Sequence, residues 1–325
     1  MDICLRGCYE PTPQATDGKL RGFGRERTCK MVYFKLLLTA FFWGGTFVAA
    51  RILGENVGPF SAAFLRFAVA TILLAAIVWQ REGRLPRLAG PQRLPVILLG
   101  LTGVFAYNAF FFKGLQLISA GRASLVIALN PVFIALLSAW FYKEKLTPVK
   151  MTGILLSVTG AMVVISRGSP AGIFQGGIGL GELMIFGCVL SWVAYSLIGK
   201  SVMQAVSPLV ATAYAAFFGM LFLTVPAWVE GLPADLGNYT LPEWGSIVYL
   251  GLFGTVIGFV WYYEGIRQIG PMRAGLFINF VPVSAIVLAF LILSEPVTLS
   301  LLIGACLVLT GVYLTNRPAA GPASA

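Results

Sequence analysis

The stretch LLGLTGVFAYNAFFFKGLQLISAGRASLVIALNP, residues 98–131, returns as YLGLFGTVIGFVWYYEGIRQIGPMRAGLFINFVP, residues 249–282. Gly100, Gly103 and Gly114 fall on Gly251, Gly254 and Gly265, Arg122-Ala123 on Arg273-Ala274, and Pro131 on Pro282. The register of 151 holds without a gap to residues 166 and 317, and brings Glu144, Gly153 and Gly160 onto Glu295, Gly304 and Gly311. Five of the six glycines in the first window meet a glycine, although only 37 of the 325 residues are Gly. Unrelated apolar segments would share Leu and Val, not glycines and prolines in register. Upstream, a shift of 149 sets Trp43 on Trp192 and Pro59 on Pro208. The chain therefore reads as a tandem repeat.

What is repeated is set by composition. Apolar residues make up 58% and charged residues 11% of the chain, against about 45–50% and about 25% in soluble proteins. So few polar side chains cannot cover a water-facing surface, and much of this surface must face lipid. A helix crossing about 30 Å of hydrocarbon needs about 20 apolar residues. Ten such runs are present, at roughly 34–53, 59–79, 94–115, 121–141, 148–166, 180–199, 207–229, 244–266, 271–293 and 297–316. The repeat unit holds five runs, an odd number, so its two copies must lie upside down relative to each other. The expected fold is an all-α membrane protein of ten transmembrane helices in two inverted five-helix repeats, the first over 31–168 and the second over 178–317.

Lys and Arg set the orientation, because they collect on the cytoplasmic side. With the N-terminus inside, eighteen of the 23 basic residues fall on the inner side. Only Arg51, Lys113, Arg122 and Arg167 fall outside, and Arg66 lies within a span. The segment after the fourth run carries Lys143, Lys145 and Lys150 and faces in; its counterpart after the ninth carries Glu295 and faces out. The expected location is a bacterial-type inner (plasma) membrane with both termini cytoplasmic. Residues 1–30 are polar and lack apolar periodicity, and read as a disordered cytoplasmic tail. Met31 looks like a natural start, which would make the tail a gene-model extension. Residues 318–325 form a short disordered C-terminal tail.

Several chemistries are excluded early. The chain has no histidine, which removes the commonest general base and metal ligand. Cys4, Cys8 and Cys29 lie in the tail and Cys188 and Cys306 within apolar runs; no spacing suggests a metal site or a disulfide framework. The net charge of +10 is spread between spans rather than gathered in a patch, so nucleic acid is not an expected partner. No G-x-x-x-x-G-K-[ST] motif occurs, so ATP is not the expected driver, and no cofactor is expected. An intramembrane enzyme would need a nucleophile with its base or a pair of carboxylates in the spans, and neither is found.

Inverted repeats are a signature of secondary transporters, in which two similar halves exchange conformations and move a central site from one face to the other. The residues also resemble a known family. Trp43-Gly44-Gly45-Thr46-Phe47, Pro59 to Arg66-Phe67, Gly121-Arg122-Ala123 leading to Asn130-Pro131-Val132, and Lys143-Glu144-Lys145-Leu146-Thr147-Pro148 are similar in order and spacing to the EamA family of the drug/metabolite transporter superfamily. In the second half Gly181-Glu182, Arg273-Ala274, Pro282 and Ser294-Glu295-Pro296 continue the likeness. It covers about 31–316. Lys143-Glu144-Lys145 departs from the Gly-Glu-Arg that members often show. The resemblance implies export of small amphipathic metabolites, such as amino acids or drug-like compounds, through a central cavity by alternating access. The alternative is an uncoupled facilitator or channel for the same solutes. The partners implied are a small-molecule substrate and the lipid bilayer; the oligomeric state is left open.

Site residues follow from depth. Asn130-Pro131 lies near the middle of the fourth span, and Asn279 with Pro282 near the middle of the ninth. A proline removes a backbone donor and frees a carbonyl, so a bent helix with amides nearby suits an ammonium or polar head. The competing role is helix shape and interhelical hydrogen bonding. Trp43, Thr46, Tyr107, Asn108, Trp192 and Tyr195 cluster at similar depth and read as cavity walls, with packing as the competing role. Arg66 sits about two turns inside the second span, where charge is costly. It is expected to pair with Glu182, as an outer gate or a clamp; snorkelling to the interface competes. Glu264 reads as a surface pair with Arg267, while Lys113 and Arg122 read as snorkelling anchors. Only Glu182 and Glu264 could couple transport to protons, and proton antiport and uncoupled facilitation stand as the two routes.

Overall fold

The structure, a computed structural model, describes residues 18–142, 147–166, 179–203, 205–269, 274 and 277–315, with side chains from Met31 onward except at 135, 138–142, 200, 266 and 267. The expected tail residues 1–17 and 318–325, and Lys143, Glu144, Lys145, Arg167 and Arg273, lie outside the described residues, as do the side chains of Lys200 and Arg267. Among the described residues every regular element is helical and there is no strand.

The first helix, α1, runs Gly18–Leu53. It starts well before Met31, so residues 18–30, expected as irregular tail, are helical. Between Pro13 and Pro59 no proline interrupts the chain, so the helix can extend backward past Met31. α2 is Pro59–Glu82. α3, Gly90–Leu99, passes through a π-helical segment, Gly100–Ala106, into α4, Tyr107–Leu117. α5 is Ala120–Ile127, α6 Asn130–Tyr142 and α7 Pro148–Ile165. α8 is Leu180–Val202, α9 Pro208–Val229 and α10 the short Leu232–Asp235. α11, Leu241–Tyr249, passes through a second π-helical segment, Leu250–Ile257, into α12, Gly258–Ile269. α13 is Phe280–Leu293 and α14 Leu299–Thr315.

Local chemistry sets the starts. Proline opens α2, α7 and α9, where its missing N–H costs nothing. Ser119, Thr147 and Ser207 accept the backbone N–H of Arg122, Lys150 and Val210 with their hydroxyls. Seven helical stretches are long and apolar enough to cross a membrane: Met31–Leu53, Pro59–Glu82, Gly90–Leu117, Pro148–Ile165, Leu180–Gly199, Pro208–Val229 and Leu241–Gly265. Three shorter apolar stretches, Ala120–Ile134, Phe280–Leu293 and Leu299–Thr315, cover the other expected runs. The fourth run is not one helix. Pro131 has no amide to donate, and the chain turns at Ala128-Leu129, where Leu129 N bonds Val126 O at 3.1 Å and Val132 N bonds Leu129 O at 2.9 Å.

Packing rests on glycines. α7 lies against α14 without room for a side chain. A Cβ on Gly153 would stand 2.6 Å from Gly311 O and from Thr315 N, and one on Gly160 would stand 2.8 Å from Gly304 O. Ser157 Oγ donates to Val308 O across the same seam at 3.4 Å. Elsewhere the contacts come in pairs. A Cβ on Gly100 would meet Ala215 O at 3.0 Å and Phe218 Cβ at 2.9 Å; one on Gly251 would meet Arg66 O at 3.0 Å and Val69 Cβ at 2.8 Å. Gly103 faces Tyr195 and Gly254 faces Thr46; Gly114 faces Ile185 and Gly265 faces Leu36. In each pair the partners stand in the 149 and 151 registers of the sequence repeat. α2 packs on α9, α1 on α12 and α13, and α8 on α4. Large apolar side chains such as Ile72, Trp79, Val225 and Leu291 point outward, exposed.

Candidate functional site

Arg66 is the eighth residue of α2, about 11 Å along the helix from Pro59 at 1.5 Å per residue. Its side chain is buried. Nε donates to Thr255 Oγ1 at 3.1 Å and Nη1 to Asn108 Oδ1 at 3.0 Å, and the guanidinium lies 5.2 Å from the Phe67 ring centre. The two acceptors are fixed by their own backbone bonds. Asn108 Nδ2 donates to Val104 O at 2.8 Å, and Thr255 Oγ1 to Leu250 O, five residues back, at 2.9 Å. The widened π-helical turn presents Thr255 to the arginine.

The expected pairing of Arg66 with Glu182 is not what the structure contains. Glu182 Oε1 accepts from Arg122 Nη2 at 2.5 Å, and the same nitrogen reaches Ile165 O at 3.2 Å. The reason is depth. Arg122 and Glu182 are each the third residue of a helix, α5 and α8, whereas Arg66 lies five residues deeper in its own. Arg122 is thus an ion-pair partner rather than a snorkelling anchor. Among the described residues no carboxylate lies within ion-pair distance of Arg66. Glu264 bonds Lys35 Nζ at 3.0 Å and Arg81 Nη2 at 3.2 Å, tying α12 to α1 and α2; the side chain of Arg267, its expected partner, lies outside the described residues. Sequence separation hid both partners.

The aromatic candidates fall into two groups. Trp43 Nε1 donates to Gly254 O at 3.0 Å, and its ring lies 5.3 Å from Tyr262 and 5.7 Å from Phe259. Thr46 Oγ1 bonds Trp43 O at 2.6 Å and its methyl group packs on Gly254. Gly254 also lies beside Arg66, so Trp43, Thr46, Arg66, Asn108 and Thr255 form one neighbourhood. In the second group Trp192 lies 5.7 Å from Tyr107 and 5.3 Å from Tyr195. Thr212 Oγ1 donates to the Tyr263 hydroxyl at 3.2 Å.

Asn130 and Asn279 bond to neither group. Asn130 Oδ1 is buried beside the turn that precedes Pro131 and has no hydrogen-bond partner. Asn279 occupies the cap of α13 without a capping bond from its side chain, and Pro282 is buried one turn later. A cavity of about 380 Å³ lies elsewhere, between the ends of α4, α5 and α7 and the α13–α14 connection. Arg122, Glu295, Thr298 and Ser300 are among its lining residues.

Three carboxylates that received no site role from the sequence hold helix starts. Glu295 accepts from Ala120 N at 2.9 Å and Gly121 N at 3.3 Å, at the head of α5. Glu230 accepts from Ser61 N at 2.7 Å, at the head of α2. Glu243 closes a capping box with Thr240 and accepts from Asn56 Nδ2 at 2.9 Å. Carboxylates are favoured there by the unpaired amides and the helix dipole. The Thr240…Glu243 spacing is the one local signal that could have found any of them.

Residues 30–166 and again 179–317 match the EamA-like transporter family. The chain is 32% identical over 285 residues to an "Uncharacterized transporter YyaM" of Bacillus subtilis, covering 88% of this chain and 93% of the relative. It is 34% identical over 284 residues to an "Uncharacterized transporter" of Archaeoglobus fulgidus, covering 87% and 97%. A "Probable terminal-alkyne amino-acid exporter" of Streptantibioticus cattleyicolor is 32% identical over 289 residues, covering 88% and 93%. One crystal structure superposes with a TM-score of 0.58 at 21% identity, covering 88% of this chain and 98% of its own, and speaks to fold alone.

Proposed function

The chain belongs to the EamA-like transporter family, and from that premise we propose that it is a secondary transporter exporting small amphipathic metabolites, amino acids among them, by alternating access. We read the ten apolar runs as ten spans in two inverted five-helix repeats, with both termini in the cytoplasm. The observation that carries this reading is the exchange of contacts between the halves. Gly100 on Ala215 and Phe218 answers Gly251 on Arg66 and Val69, and Gly153 on Gly311 answers Gly160 on Gly304. A pseudo-two-fold axis makes such partners trade places, and halves related in that way can exchange conformations to move a site between faces. The double family match supports the same division. The name of the Streptantibioticus relative supports export of an amino acid.

In this reading Trp43, Thr46, Tyr107, Asn108, Trp192 and Tyr195 wall the path. Asn130 Oδ1, buried and unbonded, accepts from a substrate ammonium, and Asn279 and Pro282 shape the matching point of the other half. The Arg122–Glu182 pair joins the halves on the outer side and opens when the path opens outward. Glu182 and Glu264 are each bound to cations, so a coupling proton would have to break one of those bonds.

Expression in cells lacking related exporters, with profiling of the solutes that leave faster, tests the reading. Export should rise with the intact chain and fall with Asn130→Ala; if no solute leaves faster, the reading fails. Counterflow in proteoliposomes, with and without a pH gradient, separates a carrier from a channel and proton antiport from facilitation.

A further inference from the structure

Arg66 is 8% exposed, lies within a membrane span, and is bonded only to neutral groups. A buried cation is stable when a counter-ion or a full set of acceptors meets it. Thr255 and Asn108 take one N–H each of the five a guanidinium carries. Among the described residues the other three meet no acceptor. The two neutral partners orient the fork without neutralising it. Thr255 holds Nε, and one N–H of Nη1 and both of Nη2 are left to donate. That end of the fork has the geometry that a carboxylate fills with two parallel bonds. Gly254 borders that end: a Cβ there would stand 3.8 Å from Nη2 and 2.6 Å from the Thr46 methyl group, so only a glycine lets Thr46 and the guanidinium lie side by side. Trp43 bonds the carbonyl of that same glycine and supplies apolar wall next to the charge.

We propose that Arg66 is the docking point for the anionic end of the transported solute, a carboxylate, and so decides which amphipathic metabolites are carried. The proposal rests on the transport reading and narrows its substrate class. Asymmetry supports it: the residue in register with Arg66 in the second half is Ala215, so the charge is not part of the repeated framework. Arg66 and Asn108 belong to the first half and Thr255 to the second, so the grip straddles the two bodies that rock.

The test compares the solutes released by cells carrying the intact chain, Arg66→Gln, Asn108→Asp or an empty vector. Asn108→Asp keeps the size of the side chain and places a permanent carboxylate 3.0 Å from Nη1, which would occupy the guanidinium and keeps the test decisive should Arg66→Gln fail to fold. The expected result is a set of exported solutes that carry carboxylates. Their release should fall at least tenfold in Asn108→Asp, at unchanged protein level in the membrane, and by several-fold more than the release of any exported solute without an anionic group. Carboxylate export at the intact rate in both variants would overturn the proposal. So would exported solutes that lack anionic groups altogether, or an equal loss across all solutes; each leaves the transport reading standing. Release of nothing by the intact chain would bring down that reading and this proposal together.

Discussion

At the scale of single residues, the chain depends on the absence of side chains. Gly153 lies on backbone atoms of α14, which cannot swing aside as a side chain would. Gly153→Val regains only about 0.4 kcal/mol of helix propensity and forces the helices apart, so a loss of about 3 kcal/mol is expected. The purified variant should melt measurably below the unaltered protein. Gly90→Ala, at a position with nothing within 4 Å, should leave the melting temperature unchanged. These glycines could be picked out in the sequence because they recur in register, but what each one touches could not, since the partners stand in the other half. Arg66 shows the same limit. Its burial followed from its place two turns into an apolar run, whereas its neutral partners depend on which helices flank it. Assigning Glu182 to it overlooked that Arg122 shares the depth of Glu182.

At the scale of helices, starts and breaks carry testable weight. Glu295 holds two amides at the head of α5 from a connection 175 residues away. Glu295→Ala should cost about 1 kcal/mol, as lost caps do, and should speed hydrogen exchange at Ala120 and Gly121 before any other site. The Arg122–Glu182 pair is partly buried, and removing either charge should cost about 3 kcal/mol by stranding the other. Charge reversal at both positions should recover most of the activity that either single reversal removes; no recovery in a transport assay would show that the pair does not act as a unit. The turn at Ala128-Leu129 could be anticipated from Asn130-Pro131, because proline chemistry is local. The π-helical segments could not, for their residues are apolar on every side and leave no period to read. The start of α1 at Gly18 was missed because charge and glycine content argued for irregular chain, while nothing after Pro13 interrupts a helix.

At the scale of the whole molecule, the orientation we propose from the Lys and Arg count has a direct check. In a cysteine-free background, Asn238→Cys should react with a membrane-impermeant maleimide on intact cells. Arg84→Cys should react only after the membrane is opened. Reaction of both from the outside would discard the inverted arrangement. Hydropathy alone sufficed to read a helical chain with several membrane spans, seven of which are long and apolar enough to cross, whereas the break of the fourth run at Ala128-Leu129 depends on local geometry.

The seam between α7 and α14 has one more implication. Each helix there offers its partner the same surface it receives, Gly153 to Gly311 and Gly160 to Gly304. A gene for one half alone would already encode both faces of that joint. A half-length ancestor, inserted in both directions, could therefore have built the entire device as a homodimer. Joining two such halves in one polypeptide releases each from the need to match the other, which is the condition under which an arginine can stand at one position and an alanine at its counterpart.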